Sequence, residues 1–421
     1  MVPMGNLIDF LEKRGFIDNI TSDELKKRAE SPLKGYIGFD PTADSLHLGN
    51  LVGIVALAWL QKFGHTPVAL LGGGTGKIGD PSGKSTERPL LTSETLEKNI
   101  AAIGKQLERL LDCPVLLNNG EWLGNFGLID FLRDVGKHFR IGPMLGKESV
   151  RSRIESEEGM SFTEFSYQIL QGYDFYHLAR AEEVYLQMGG SDQWGNITAG
   201  IELNRKLDGP PIFGMTFPLL MRSDGAKFGK SEEGAIWLDP ERTSPYQFYQ
   251  YLVRVADADV IQLMRMLTFM ESEEIDRYAQ AIASGNFTPN EAQKKLAEEV
   301  TRFVHGEEGV AIALKVTEAA APGSKATLDP DSLKEIARDM PSVTMKTDEI
   351  VDQKYADVAA KAALVTSKGE AVRLIKNGGA YLNNEKVEDP TFLIESKHVI
   401  GAKYLLLGSG KKKKILINLT K

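Results

Sequence analysis

Cysteine is almost absent from this chain. Cys113 is the single cysteine in 421 residues, which excludes an internal disulfide and a metal site built from thiolates. The six histidines never fall at H-x3-H spacing, so the common histidine zinc pattern is missing too. Long apolar runs are also lacking. The longest, Leu51 to Leu60, is too short to span a bilayer, so no membrane partner is expected. Met1 to Asn6 shows no basic-then-apolar leader pattern. The expectation is a cytoplasmic protein, or an organellar one whose transit peptide has been removed. General basicity is absent as well: the net charge is -8, which argues against a surface coated for nucleic acid. The charge is uneven, however. Residues 351–421 carry 13 Lys/Arg and 7 Asp/Glu, a net +6, which leaves -14 on the first 350. An acidic body with a basic tail suits a local RNA-binding appendage.

The length implies two or three domains. One stretch organises the rest. Tyr36-Ile37-Gly38-Phe39 alternates large and small residues, as a strand does. Pro41 and the Asp/Ser/Thr cluster up to Ser45 stop it and open a loop. From His47 the chain turns apolar through Leu51, Ile54, Val55, Leu57, Ala58, Trp59 and Leu60, which predicts a buried helix. Strand, loop and helix N-terminus in that order make an anion site, because free N–H groups and the helix dipole point over the strand end. Gly49 keeps the first turn bare for a flat ligand.

Thr66 to Leu71 predicts a buried strand of the parallel kind. Two decoys follow it. Gly74, Gly76 and Gly79 satisfy G-x-G-x-x-G, but Asp80-Pro81 blocks the helix that a dinucleotide site needs next. Gly83-Lys84-Ser85 ends like a P-loop, but residue 78, where the first glycine belongs, is Ile78. What remains is a glycine-rich strand end, then Asp80, then a mobile loop with Lys84 and Arg88. Ser93 to Leu111 predicts an amphipathic helix and Val115 to Asn119 a buried strand. Leu128 to Phe139 predicts a helix whose Phe131, Leu132 and Val135 suit either core packing or a dimer face. In the helix from Ser161 to His177, Tyr167, Gln171 and Asp174 fall at i, i+4 and i+7 on one polar face. Phe165, Ile169 and Leu170 surround that face, so it is expected to line a pocket for an amino acid with a polar tip. Tyr167 and Gln171 would hold the ammonium, and Asp174 and Tyr36 a phenolic hydroxyl.

The strand from Glu183 to Met188 ends in Gly189-Gly190-Ser191-Asp192-Gln193. Two glycines admit a nucleotide, and Asp192 can accept from both ribose hydroxyls. Phe213 to Met221 predicts a strand leading into Ser223 to Ser231, where Lys227 and Lys230 flank an aromatic and a glycine. Elsewhere, Asn6 to Phe16 predicts a short helix, and Thr21-Ser22-Asp23-Glu24 a capping box for a second. Residues 244–285 and 291–304 read as helical, 319–343 as a proline-marked linker, and 361–377 as two helices before a closing strand pair.

His47-Leu48-Gly49-Asn50 resembles the His-x-Gly-His signature of class I aminoacyl-tRNA synthetases, with Asn50 where many relatives have a second histidine. Lys227-Phe228-Gly229-Lys230-Ser231 resembles their Lys-Met-Ser-Lys-Ser loop. With Tyr36-x-Gly-Phe-Asp-Pro-Thr-Ala in front and Gly190-Ser191-Asp192-Gln193 between, the chain is similar over nearly its whole length to tyrosyl-tRNA synthetases of bacterial or organellar type. Ala371 to Gly379 resembles a small RNA-binding module, with Leu374 and Ile375 inward and Arg373 and Lys376 toward phosphates.

The resemblance implies an α/β fold. A Rossmann-like parallel-sheet catalytic domain (1–238, with a mobile lysine loop at 223–233) precedes an all-α anticodon-side domain (239–320). A linker (321–350) and a small basic α+β RNA-binding domain (351–421) follow. It implies L-tyrosine, ATP with Mg²⁺ and tRNA(Tyr) as partners, a homodimer, and no protein-held metal. Tyr36, Asp80, Tyr167, Gln171, Asp174 and Gln193 would bind tyrosine. Gly38, Asp40, Thr42, His47, Gly49, Asn50, Gly190, Asp192 and Lys230 would bind ATP. Thr42, His47, Lys84, Arg88, Lys227, Lys230 and Ser231 would act on the phosphates. Arg205, Lys206, Arg373, Lys376 and Lys411 to Lys414 would meet tRNA. The alternatives are a tryptophanyl-tRNA synthetase, a small nucleotidyltransferase of the same superfamily, and an inactive RNA-binding paralogue.

Overall fold

The computed structural model describes residues 5–155 except 85, 87 and 89, residues 159–231 and 234–320, and residues 328–420 except 331, 332, 335, 336, 338, 339, 411 and 412. The chain forms two compact units. One holds residues up to Arg242 together with Val255–Val300. The other holds Thr243–Arg254 and the chain from Thr301 onward.

In the first unit, α1 (Leu7–Lys13), β1 (Asn19–Ile20) and α2 (Glu24–Arg28) lead into β2 (Lys34–Phe39). Next come α3 (Leu51–Lys62), β3 (Thr66–Leu71), α4 (Ser93–Leu110) and β4 (Val115–Asn118). Short helices α5 (Gly120–Leu123), α6 (Leu128–Asp134), α7 (Ile141–Leu145) and α8 (Glu148–Ile154) precede the long α9 (Phe162–Ala181). Then follow β5 (Val184–Gly190), α10 (Trp194–Lys206), β6 (Phe213–Phe217) and the two-stranded pair β7 (Lys230–Ser231) and β8 (Gly234–Ala235). The main sheet has the order β1-β6-β5-β2-β3-β4 and is parallel except for β1. β2 pairs with β3 on one side and β5 on the other. The chain therefore winds away from β2 in one direction and then in the other. Open α/β sheets hold ligands at such a reversal, beyond the C-terminal strand ends.

Local sequence explains most of this. α3 is buried from Leu51 to Leu60 because it is apolar on every face. α9 starts where Ser161 accepts the Glu164 N–H at 3.2 Å. β6 stops at Phe217, short of the expected Met221, because Pro218 has no N–H for the ladder. β4, expected to be buried, is half-buried throughout because it forms the sheet edge. The Thr21–Glu24 capping box does not form. Asp23 already has helical dihedrals (φ -63°, ψ -18°), and Ser22 accepts from Glu24 N–H instead.

The helical segment after the sheet comprises α11 (Pro245–Val253), α12 (Asp257–Leu267), α13 (Ser272–Ala283) and α14 (Glu291–Ala320). α12 and α13 belong to the first unit, α11 to the second, and α14 begins in one and ends in the other. Arg14 is why α12 belongs with the sheet. Its buried guanidinium donates to the carbonyls of Arg265 (2.6 Å) and Met270 (2.7 Å), and also to Met264 and Thr268. A cation at the C-terminal end of a helix satisfies carbonyls that have no intrahelical partner.

The second unit contains a five-stranded sheet of β9 (Ser342–Lys346), β10 (Ala380–Leu382), β11 (Glu385–Lys386), β12 (Tyr404–Ser409) and β13 (Lys413–Thr420). Its order is β11-β10-β12-β13-β9. β9 falls within the stretch expected to be a linker, yet it pairs in parallel with β13. The helices here are Tyr355–Lys361 and Lys368–Lys376, not a pair inside 361–377. Ile350, Tyr355, Ile375, Leu405 and Ile417 fill this core. Tyr246, Val316 and Ala319 pack with Leu328, Tyr404, Leu406 and Leu416. Among the described residues no helix is long and apolar enough to cross a membrane.

Candidate active site

Gly38 lies in the central strand yet is exposed, with nothing within 4 Å of the point where a Cβ would stand. It floors an open space at the reversal of the sheet. At its rim His47 begins a short turn. Its Nδ1 accepts the Gly49 N–H at 3.0 Å, and Asn50 Oδ1 accepts the His47 N–H at 3.0 Å. The ring proton therefore sits on Nε2. Burial, then the charges of Lys230, Lys84 and Arg88, push the imidazole down to about 4, so it is neutral at physiological pH.

The lysine loop rests on this turn. A Cβ on Gly229 (φ 87°) would stand 2.8 Å from the Gly49 nitrogen. Phe228 is buried and donates its N–H to the Leu220 carbonyl (3.0 Å), while Lys227 and Lys230 on either side are exposed. Lys227 Nζ donates to the Gly83 carbonyl at 2.8 Å. Lys84 is pushed down by burial and by the neighbouring Arg88, Lys230 and Lys227. Cations crowded in one place around a neutral histidine form a site for a polyanion. Asp192 borders it: a Cβ on Gly83 would lie 3.0 Å from its Oδ2, and one on Gly190 2.7 Å from its Oδ1. Thr42 is exposed on the loop above β2. Ser231 ends β7, and its side chain lies outside the described set.

Carboxylates dominate the other half of the site. Asp40 accepts from the Thr75 hydroxyl at 2.8 Å and from the Tyr167 hydroxyl at 2.9 Å. Burial, then the charge of Asp80, raises Asp40 to about 6. Asp80 accepts from Gln193 Nε2 at 2.7 Å, Gln193 Oε1 accepts from Gln171 at 3.2 Å, and Asn196 donates to Gln171 Oε1 at 3.0 Å. Arg88 Nε donates to the Asp80 carbonyl at 3.3 Å, joining the two halves. Tyr167 feels Asp40, Asp80 and Asp174 together, so the local field favours a cation. On α9 the polar face turns inward. Tyr167 and Asp174 are buried while Phe165, Ile169 and Leu170 are only half-buried. The polar face is the more deeply buried one, because residues on other elements satisfy it: Asp40 for Tyr167, Gln193 and Asn196 for Gln171, and Asn119 and Trp122 for Asp174.

At the inner end lies Asp174, 1% exposed. Asn119 Nδ2 donates to one oxygen at 2.8 Å and Trp122 Nε1 to the other at 2.7 Å. Burial raises this carboxyl to about 7 against those two hydrogen bonds. Tyr36 is buried, feels the Asp174 charge, and its hydroxyl has no hydrogen-bond partner among the described residues. A buried hydroxyl without a partner is costly unless a ligand completes it.

Sequence reasoning missed Asn119, Trp122, Thr75 and Asn196. The polar end of the strand before Asn119 was a signal; nothing local marks Trp122. Of the residues expected at tRNA, Arg205, Arg373, Lys376 and Lys413 are exposed. Lys206 is engaged by the His138 carbonyl (2.6 Å) and Glu202 (2.7 Å). Lys414 is half-buried, donates to Asn384 at 2.8 Å, and is lowered to about 8 by burial. Leu374 is only partly buried, beside a buried Ile375. Lys411 and Lys412 lie outside the described residues.

Residues 27–320 match the family described as class I tRNA synthetases (W and Y). Residues 332–417 match the tyrosine–tRNA ligase SYY-like C-terminal domain. The tyrosine–tRNA ligase of Protochlamydia amoebophila is 56% identical over 99% of this chain and 99% of its own. The chain belongs to the tyrosyl-tRNA synthetase family. Another relative, the chloroplastic/mitochondrial tyrosine–tRNA ligase of Arabidopsis thaliana, is 48% identical over 99% of this chain and 84% of its own. A C-terminally truncated mitochondrial tyrosyl-tRNA synthetase from Aspergillus nidulans superposes with a TM-score of 0.64 at 32% identity, covering 73% of this chain and 92% of that one. The tryptophanyl alternative is less supported. The first family match includes both kinds of synthetase, whereas the second match and the near full-length identity are to tyrosine enzymes.

Proposed function

We infer that the protein is a tyrosine–tRNA ligase that activates L-tyrosine with ATP and transfers the tyrosyl group to the 3′ end of tRNA(Tyr). The observation that carries this reading is the inner end of the carboxylate pocket. There the unpartnered Tyr36 hydroxyl and the doubly held Asp174 carboxyl suit one phenolic O–H. The substrate ammonium sits among Asp80, Tyr167, Gln171 and Gln193, with Asp40 adding charge. Adenosine lies over Gly38 and Gly49, beside Asn50, with its ribose on Asp192 and Gly190. Thr42 and His47 take the γ-phosphate side, and Lys84, Arg88, Lys227 and Lys230 surround the pyrophosphate, with Ser231 at the loop end. Mg²⁺ would enter with ATP, as part of the substrate.

Both nucleophiles belong to substrates. A tyrosine carboxylate oxygen attacks the α-phosphorus and pyrophosphate leaves. A terminal ribose hydroxyl of the tRNA then attacks the tyrosyl carbonyl and AMP leaves. The chain contributes position and charge stabilisation. A neutral His47 offers its Nε2–H to phosphate without adding to repulsion among the cations. The basic C-terminal segment, with Arg373, Lys376 and Lys413, holds tRNA, and Arg205 meets the acceptor stem. The protein works as a homodimer: Leu128 and Ile129, each 72% exposed, offer an apolar face to a second copy. The reaction is placed in the cytoplasm, with an organelle matrix as the alternative.

ATP–pyrophosphate exchange measured with tyrosine, with tryptophan and without amino acid tests the reading. Tyrosine alone should support exchange. Exchange with tryptophan would make it a tryptophanyl enzyme, and none with either would leave an RNA-binding paralogue.

A further inference from the structure

The lysine loop ends on a short segment that runs antiparallel to the chain entering the His47 turn. Leu48 N–H donates to the Ile236 carbonyl at 2.7 Å, and Leu238 N–H to the Leu46 carbonyl at 2.9 Å. This register sets Trp237 opposite His47. Indole and imidazole meet edge to face, with ring centroids 6.2 Å apart. The Arg242 guanidinium carbon lies 3.4 Å from the centroid of the indole, and its Nη1 pairs with Asp44 Oδ1 at 2.8 Å. Arg109 holds the same segment from behind through the Leu238 carbonyl (3.2 Å). Ile236 N–H donates to the Gly229 carbonyl at 3.0 Å, so the segment is tied to the loop between the two lysines.

Trp237 is not a core residue. Its neighbours Ile236 and Leu238 are buried, while Trp237 alternates with them and stays half-exposed on the His47 side. The Gly49 N–H fixes which imidazole nitrogen faces the turn, but a single hydrogen bond leaves the tilt of the ring free. The indole restricts that tilt, and the stacked guanidinium restricts the indole. We propose that Trp237, clamped by Arg242 and Asp44, is a positioning residue. It aims the Nε2–H of His47 at the nucleotide phosphates. The proposal rests on the ligase reading above. A histidine misplaced by a fraction of an ångström loses transition-state contact before it loses substrate binding.

The test is a double-mutant cycle in the full-length protein, read by ATP–pyrophosphate exchange with tyrosine and by thermal unfolding. Trp237→Phe and Arg242→Gln should each slow exchange about tenfold, with KM for tyrosine unchanged. Arg242→Lys, which keeps the ion pair and loses the planar stack, should recover part of the rate. In a His47→Ala background neither substitution should cost anything further, because the residue it positions is gone. An equal loss in both backgrounds, or no loss in the first, overturns the proposal. A fall in thermal stability that accounts for the whole rate loss also overturns it, and Arg242→Gln keeps the question open to test if Trp237→Phe does not fold. Wild-type protein without tyrosine-dependent exchange would instead overturn the ligase reading itself.

Discussion

In the proposed tyrosine pocket, Asp174 is held by opposing effects. Two N–H donors, from Asn119 and Trp122, hold its oxygens, while burial pulls it the other way, to about 7. Asp174→Asn keeps the size, but its amide has one acceptor for two donors, so an N–H is left facing an N–H. Tyr36→Phe removes only the hydroxyl. Discrimination between tyrosine and phenylalanine in exchange kinetics should fall in both variants. The smaller loss, about 1–3 kcal/mol, belongs to Tyr36→Phe, and unchanged discrimination in both would remove these residues from the pocket. Asp40 makes a second prediction. It lies near 6 in the free protein, above its ordinary 3.8. An ammonium beside it stabilises the carboxylate and lowers that value, and a phenol donating to Asp174 acts in the same direction. Tyrosine binding near pH 6 should therefore release protons, and the release should fade by about pH 8, where the carboxyls are already ionised. Calorimetry in buffers of different ionisation enthalpy measures this; proton uptake near pH 6 would contradict it.

Single elements are held by equally few residues. The C-terminal end of α12 depends on Arg14, which burial lowers to about 10 and which is therefore still charged at neutral pH. Arg14→Met fills the same space and leaves the carbonyls of Arg265, Thr268 and Met270 without their donor. It should destabilise the protein by about 3 kcal/mol or more in chemical denaturation; a change within error would mean that water replaces the guanidinium. Helix α6 shows the opposite case, since Leu128 and Ile129 are each 72% exposed. Leu128→Glu with Ile129→Glu should turn a dimer into a monomer in sedimentation without lowering thermal stability, because no core contact is lost. A variant that remains dimeric would move the interface elsewhere.

At the scale of the whole molecule, chemistry and charge are divided between different stretches of chain. The first 350 residues carry -14 and include every residue proposed to bind tyrosine or ATP, whereas the last 71 carry +6. A chain ending at Ala320 should keep tyrosine-dependent exchange and lose tRNA charging, with the gap to the full-length protein widest at low salt, where phosphate contacts contribute most. The cut uncovers Tyr246, Val316 and Ala319, so thermal unfolding should be followed beside activity. Full charging by the shortened chain over a range of salt would show that the basic segment is not the tRNA site.

What the sequence determined by itself was local and ordered. Strand, loop and helix start around His47, the glycine ends of β3 and β5, the i, i+4, i+7 face of α9 and the charge split are all properties of neighbours in the chain. Periodicity and turn chemistry read such properties well. Tertiary structure decided what parallel pairing brings together. Asn119 and Asp174 lie 55 positions apart and meet at 2.8 Å, and Asp80 and Gln193 lie 113 apart and meet at 2.7 Å. No local pattern encodes that Trp122 donates to Asp174. Nor does one encode that α12 joins the sheet unit through Arg14, or that β9 completes the C-terminal sheet. The protonation states were equally hidden. A histidine near 4 and carboxyls near 6 and 7 arise from desolvation and from charges on other strands and loops. Those distances exist only once the sheet has placed its C-terminal ends side by side.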